Sequence, residues 1–307
     1  MSALDHFARY HFELQLRLKF REDVGDTFQV FFSRLMSKTH PGDFQPTRPW
    51  GSAGDRKCDG YLSSKRTLFQ CYAPDELTLA DAKAKIIEDF NGALPHQSKF
   101  WDNWVFVHNA VDGRLATDIV QLLEELRKQH AMVLISSWGY EEIRRLVFAL
   151  PINEIVSLLG PPPQLQSFAN LGIRDIADVL AQFGGAPSSQ TDDLRPTPAG
   201  KIEFNRLSEA TANLLRIGMS RADLVKRFFD THPDPELGDR VVALFRAEYA
   251  KLREQGESPD HIYDQLFIFT IGPIQTDSVR TVGGYAVLAY LFEQCDIFER
   301  PIPPAAT

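Results

Sequence analysis

Cysteine is scarce in this sequence. Three residues, Cys58, Cys71 and Cys295, in a chain of 307 are too few and too scattered for a disulfide framework or a zinc knuckle. That usage points to the cytoplasm. Long apolar runs are missing as well: no stretch approaches the ~18 uninterrupted apolar residues of a membrane span, so no membrane partner is expected. The first residues, Met1 to Lys19, are amphipathic and mixed in charge, with no apolar core and no small-residue cleavage site. No signal peptide is expected there. No glycine-rich loop has P-loop spacing, which argues against ATP binding of that kind. Net positive charge is lacking too. A formal charge of −8 argues against wholesale coating of nucleic acid.

The acidity is uneven. Residues 1–74 hold 11 Lys and Arg against 8 Asp and Glu, so the remainder holds 22 against 33. A basic first quarter on an acidic body is compatible with a local phosphate-facing site. With 44% hydrophobic and 24% charged residues the composition is that of an ordinary globular protein, and the length fits two domains with a connector.

The first half reads as mixed α/β. A helical segment runs from about Ala3 to Lys38, broken near Gly25-Asp26, with Phe28, Phe31, Phe32 and Leu35 on one face. Residues 44–50 carry two prolines, so a strand there is short or at an edge. Strands follow at about 56–63 and 67–73. Thr78 and Asp81 form a capping pattern, and Ala82, Ile86 and Phe90 continue one helical face. Trp104 to Asn109 reads as a buried strand, 118–130 as a helix, Ala131 to Trp138 as another core strand and 140–150 as a helix. These elements assign an α/β domain to residues 1–150. Prolines and glycines then mark residues 151–200 as a connector with one or two small helices. Residues 201–307 read as all-α, with a chain break at Gly283-Gly284.

Two strands carry the chemistry. Asp59 stands at the start of one. Gln70 and Tyr72 lie two apart on the next and so share a face. Polar groups in a buried-looking run need partners, and a metal ion or a phosphate is one kind of partner. The bland alternatives are that Asp55 and Asp59 are turn residues satisfied by backbone amides, and that Tyr72 is a packed residue at a strand end. His108 reads as a structural histidine. Ser136 and Ser137 have no acid or histidine fixed beside them, so no hydrolase triad is expected.

The order Gly25-x-x-Phe28-Gln29, Gly54-Asp55-x-x-x-Asp59-Gly60, Phe69-Gln70-Cys71-Tyr72 resembles the Mrr-type branch of the restriction-endonuclease-like (PD-(D/E)xK) superfamily. The resemblance spans about residues 20–135, and its motifs lie in 25–74. It implies metal-dependent cleavage of DNA, with Mg2+ or Mn2+ held by Asp59, Gln70 and the backbone carbonyl of Cys71. Two positions depart from the pattern. Gln29 stands where the family usually has glutamate, and Tyr72 where it has the catalytic lysine. Lys57 or Lys65 would have to supply that charge, with Asp55 and Glu22 as spare carboxylates. Asp59, Gln70, Tyr72 and Lys57 are therefore the expected catalytic set.

The span from about Phe229 through Leu266 to Glu299 resembles the C-terminal domain of effector subunits in ABC-three-component systems, bacterial operons of which the Lamassu anti-phage systems are one kind. The resemblance implies docking onto an SMC-like ATPase and a small middle subunit. The alternative is a helical dimerisation domain. Together these readings give an endonuclease effector of a defence complex, or else a catalytically degenerate nuclease-fold subunit that binds DNA without cutting.

Overall fold

The computed structural model describes residues 6–47, 58–110, 113–184, 200–272, 278–294 and 297–301. Lys57, Asp55 and Cys295 lie outside the described residues. The chain divides into two compact units, residues 15–160 and residues 1–14 with 161–307.

The first unit is α/β. It holds the C-terminal part of α1 (His6–Glu22), then α2 (Asp26–Thr39), β1 (Phe44–Pro46), β2 (Gly60–Leu62), β3 (Thr67–Tyr72), α3 (Leu79–Ala93), α4 (Gln97–Phe100), β4 (Asn103–His108), α5 (Thr117–Gln129), β5 (Leu134–Trp138), α6 (Tyr140–Ala149) and α7 (Ile152–Leu159). The five strands lie in sequence order. β1, β2 and β3 pair antiparallel, and β3, β4 and β5 pair parallel. β1 is a short edge strand that ends at Pro46.

Alternation along β3 builds both faces of the sheet. Leu68 joins Ile86 and Phe90 of α3, Trp104 and Phe106 of β4, and Ile119 and Leu123 of α5 in one core. Phe69 turns the other way and meets Phe32 of α2, Phe44 and Trp138. The sheet is thus covered by α3 and α5 on one side and by α2 on the other. The Thr78 hydroxyl accepts the Asp81 amide and starts α3 as the capping pattern requires. β5 is an edge rather than an interior strand. Its first residue, Leu134, is 73% exposed, and Met132 just before it is 86% exposed.

The second unit is helical: α8 (Leu165–Asn170), α9 (Ile173–Leu180), α10 (Lys201–Phe204), α11 (Glu209–Met219), α12 (Ala222–Thr231), α13 (Leu237–Glu254), α14 (Pro259–Ile271) and α15 (Ser278–Glu293). α15 is its centre, buried from Thr281 through Phe292. The chain does not break at Gly283-Gly284; α15 runs through both. Their use is close approach. A Cβ on Gly283 would stand 2.8 Å from Val179 of α9, and one on Gly284 would stand 2.4 Å from Ile271 of α14. Tertiary packing here overrides the low helix propensity of glycine. The region expected as a connector contains α7, α8 and α9, with Ile176, Val179 and Leu180 of α9 buried.

Candidate functional site

Hydrogen bonds at the carboxyl end of β3 build a cleft. The Asp59 N–H donates to the Phe69 carbonyl at 2.9 Å, which continues the β2–β3 ladder by one residue. The Gly25 N–H donates to the Ala73 carbonyl at 2.6 Å and brings the start of α2 to the same place. Gly25 has φ +52°, a left-handed conformation that suits glycine. The result is a cleft of about 340 Å³, lined among others by Gln29, Asp59, Gln70, Cys71, Tyr72 and Lys85.

Asp59 is 7% exposed. Its Oδ1 accepts Gln29 Nε2 at 2.8 Å, and its Oδ2 accepts the Cys71 N–H at 2.7 Å. Charge-assisted donors of this kind favour the ionised carboxylate. Gln70 is 6% exposed, and its Oε1 has no hydrogen-bond partner among the described residues. A buried amide oxygen left bare costs about 1–3 kcal/mol, so something outside the chain is the natural partner. Tyr72 packs its ring on Phe106 at 5.9 Å. Desolvation, then the nearby Asp81 charge, raises its phenol above the ordinary tyrosine value, so at neutral pH it is an uncharged hydroxyl. The Cys71 thiol is raised well above its ordinary value, chiefly by burial and then by the Asp59 charge. It is not a thiolate ligand.

The structure brings Asp59, Gln70, Cys71 and Tyr72 together, with Gln29 facing them. Lys57 falls outside the described residues. Lys65 sits in the Ser63–Lys65 turn and does not line the cleft. Glu22 does not line it either. The single cation among the described residues of the lining belongs to none of the sequence motifs: it is Lys85 of α3. Its Nζ lies 2.9 Å from Oδ1 of Asp89, a carboxylate with no exposed surface. The i, i+4 spacing of Lys85 and Asp89 was visible in the sequence. So was the position of Asp89 beside the buried stripe of Ile86 and Phe90.

Among the described residues no group of three or more His, Cys, Asp or Glu side chains could hold a metal ion. The oxygen donors of the described lining are the carboxylates of Asp26 and Asp59, the amides of Gln29 and Gln70, the Tyr72 hydroxyl and backbone carbonyls. That hard, oxygen-only set fits magnesium or manganese, which keep several waters and use one or two carboxylates plus substrate phosphates. No helix among the described residues is long and apolar enough to cross a membrane.

Residues 174–299 match the family described as C-terminal domain 10 (CTD10) of the ABC-three component (ABC-3C) systems. The matched span runs from α9 through the segment beyond α15, and supports reading the helical unit as the C-terminal domain of a component of such systems. No curated protein and no solved structure matches the chain.

Proposed function

We propose that the chain is a divalent-metal-dependent DNA endonuclease that serves as an effector in a bacterial anti-phage defence complex of the ABC-three-component kind. The observation that carries the nuclease reading is the buried, unpartnered Oε1 of Gln70 beside the carboxylate of Asp59 in one cleft. The element order from α2 through β4 and the sheet, antiparallel in its first half and parallel in its second, support the restriction-endonuclease-like fold.

Asp59, Gln70 and the Cys71 carbonyl would hold Mg2+ or Mn2+, which when bound polarises a phosphoryl oxygen and acidifies water. Lys85 would set a positive charge against the phosphate. Tyr72 would donate its hydroxyl proton to a phosphate oxygen, and Asp89 would hold the Lys85 ammonium at the cleft. The charge that the sequence assigns to Lys57 in place of Tyr72 would thus come from Lys85, and Lys57 would add a second cation. The helical unit would dock the effector onto an SMC-like ATPase and a small middle subunit, in keeping with the family that it matches. Self-association through the same helices is the competing use.

One observation favours a second reading, a nuclease-fold subunit that binds DNA without cutting. Both oxygens of Asp59 already accept hydrogen bonds, one of them from the neutral amide of Gln29. The deciding experiment is cleavage of plasmid and linear DNA with magnesium or manganese, wild type beside Asp59→Ala, with and without the partner subunits. Cleavage lost in the variant supports the endonuclease. DNA binding without cleavage under every condition supports the degenerate subunit.

A further inference from the structure

We propose that a groove along α2 is the track for the phosphate backbone of DNA entering the cleft, and that α7 occupies its cations until the backbone displaces it. The inference rests on the nucleic-acid reading of the cleft given above.

The groove measures about 710 Å³ and shares Asp26 and Gln29 with the cleft. From there it follows one stripe of α2 through Ser33, Arg34, Ser37 and Lys38, the i, i+3, i+4 pattern of a single helix face. Nine residues separate Gln29 from Lys38, a rise of about 13 Å at 1.5 Å per residue. Along a duplex axis that length spans about four phosphates of one strand, at about 3.4 Å each. The groove therefore places two cations where the backbone of a strand engaged at Asp59 and Gln70 would pass.

Both cations are held by α7. Arg34 Nη2 donates to the Ser157 carbonyl at 2.8 Å, and Lys38 Nζ pairs with the Glu154 carboxylate. One carboxylate and one carbonyl thus fill the positions that phosphate oxygens would take. The hold is light. The side chains of Lys38 and Glu154 are 22% and 34% exposed, so water and salt reach the pair and screen it. α7 has eight residues and buries two side chains, Ile155 and Leu158. A helix that short has little stability of its own. It ends at Gly160, with φ +85°, and the Pro161-Pro162-Pro163 that follows cannot extend the helix, so α7 stands as a separate short helix that can lift by itself.

The test is fluorescence anisotropy of the full chain with a short labelled DNA duplex, in chelator so that nothing is cut, across about 50 to 200 mM salt. Arg34→Ala with Lys38→Ala is expected to weaken binding about tenfold at low salt and to lower the slope of log affinity against log salt by nearly 2, about 0.9 per lost contact. Glu154→Gln is expected to do the opposite and tighten binding about threefold, because it frees Lys38. A folding defect would not tighten binding, so the opposite signs separate the two explanations. Wild-type binding that ignores all three substitutions, or that weakens with Glu154→Gln, overturns the track and its α7 competitor but leaves the cleft reading standing. A wild-type chain that binds no DNA overturns both.

Discussion

Gln29 holds Asp59: its amide Nε2 donates to Oδ1 at 2.8 Å, across the cleft from the Cys71 N–H that takes the other oxygen. A neutral amide therefore stands where a second carboxylate would complete a two-acid metal site. Gln29→Glu would set two carboxylates within hydrogen-bond distance. Without metal they repel, and a pKa shift of one unit in either costs about 1.4 kcal/mol. The variant is expected to melt below wild type in chelator and to gain more from added manganese, read by thermal denaturation over a manganese titration. Equal gains in the two proteins would mean that the cleft does not hold the ion.

The helical unit depends on glycine contacts around α15. A Cβ on Gly218 of α11 would stand 2.2 Å from the Tyr285 carbonyl oxygen, a backbone atom that cannot turn aside. Gly218→Ala is expected to cost about 1–3 kcal/mol through overpacking. Gly256→Ala meets nothing within 4 Å and is strained only by its φ of +76°, a cost of about 1–2 kcal/mol. Urea unfolding followed by far-UV circular dichroism should place the Gly218 variant at or below the other. The reverse order would contradict the close approach.

Lys201 is 2% exposed, and its Nζ donates to the carbonyls of Phe292 and Ile297, each at 2.7 Å, with the Phe292 ring 4.2 Å below. It thus ties the end of α15 to the segment that follows. Lys201→Met keeps much of the stem but strips both carbonyls of this donor. At about 1–3 kcal/mol per buried group left bare, the loss should exceed 2 kcal/mol. Limited proteolysis should then cut near 297–301 faster than in wild type. Unchanged cleavage there would show that the lysine does not hold the segment.

Two buried histidines make both units sensitive to acid. His11 shares a 2.9 Å hydrogen bond with the Tyr285 hydroxyl, and burial lowers its pKa from 6.5 to about 4. His108 is lowered to about 4 as well, by burial opposed in part by the Glu142 charge. The folded state then binds fewer protons than the unfolded state between pH 6.5 and 4. Stability is highest above 6.5, falls as pH drops through that window, and has lost the whole contribution below 4. From pH 7 to 5 each histidine should cost about 2 kcal/mol. The four tryptophans, at positions 50, 101, 104 and 138, all fall within the sequence span 15–160, and Trp101, Trp104 and Trp138 are described in the α/β unit. Their fluorescence therefore reports His108, while circular dichroism follows both units. His11→Gln should flatten the pH dependence of the helical unit and leave the tryptophan transition unchanged. A tryptophan transition independent of pH would refute the His108 part.

Much of this arrangement was legible locally. The Thr78 cap, the proline-limited β1 and the β3 alternation depend on neighbours in sequence, and each formed as its residues require. Asp59, Gln70 and Tyr72 could be placed together because one hairpin carries them. What was hidden depends on distant partners. Gly283 and Gly284 read as a break until α9 and α14 are seen against them. Ala131 to Trp138 reads as a core strand, but no strand pairs beyond it in the described sheet. Lys85 went unnoticed because its chemistry depends on α3 lying beside the end of β3, which no motif spacing records.

The division of labour between Lys85 and Tyr72 gives the sharpest test of the cleft. Lys85 is the cation of the described lining, and Tyr72 is a neutral phenol on the strand itself. If a positive charge in the cleft stabilises a phosphoryl transition state, Lys85→Ala should lower kcat about 100-fold or more, with KM changed far less. Lys85→Arg keeps the charge and should retain part of the rate. Tyr72→Lys places an ammonium at the end of β3, and in the Lys85→Ala background it should restore cleavage in part, because the charge rather than its point of attachment is what the reaction uses. The measurement is single-turnover DNA cleavage with manganese by the three variants and the double variant. A Lys85→Ala chain that cuts at the wild-type rate removes the lysine from the chemistry. A double variant no better than Lys85→Ala alone would mean that the ammonium must approach from α3 rather than from the end of β3, and that Tyr72 marks a place where a cation cannot serve.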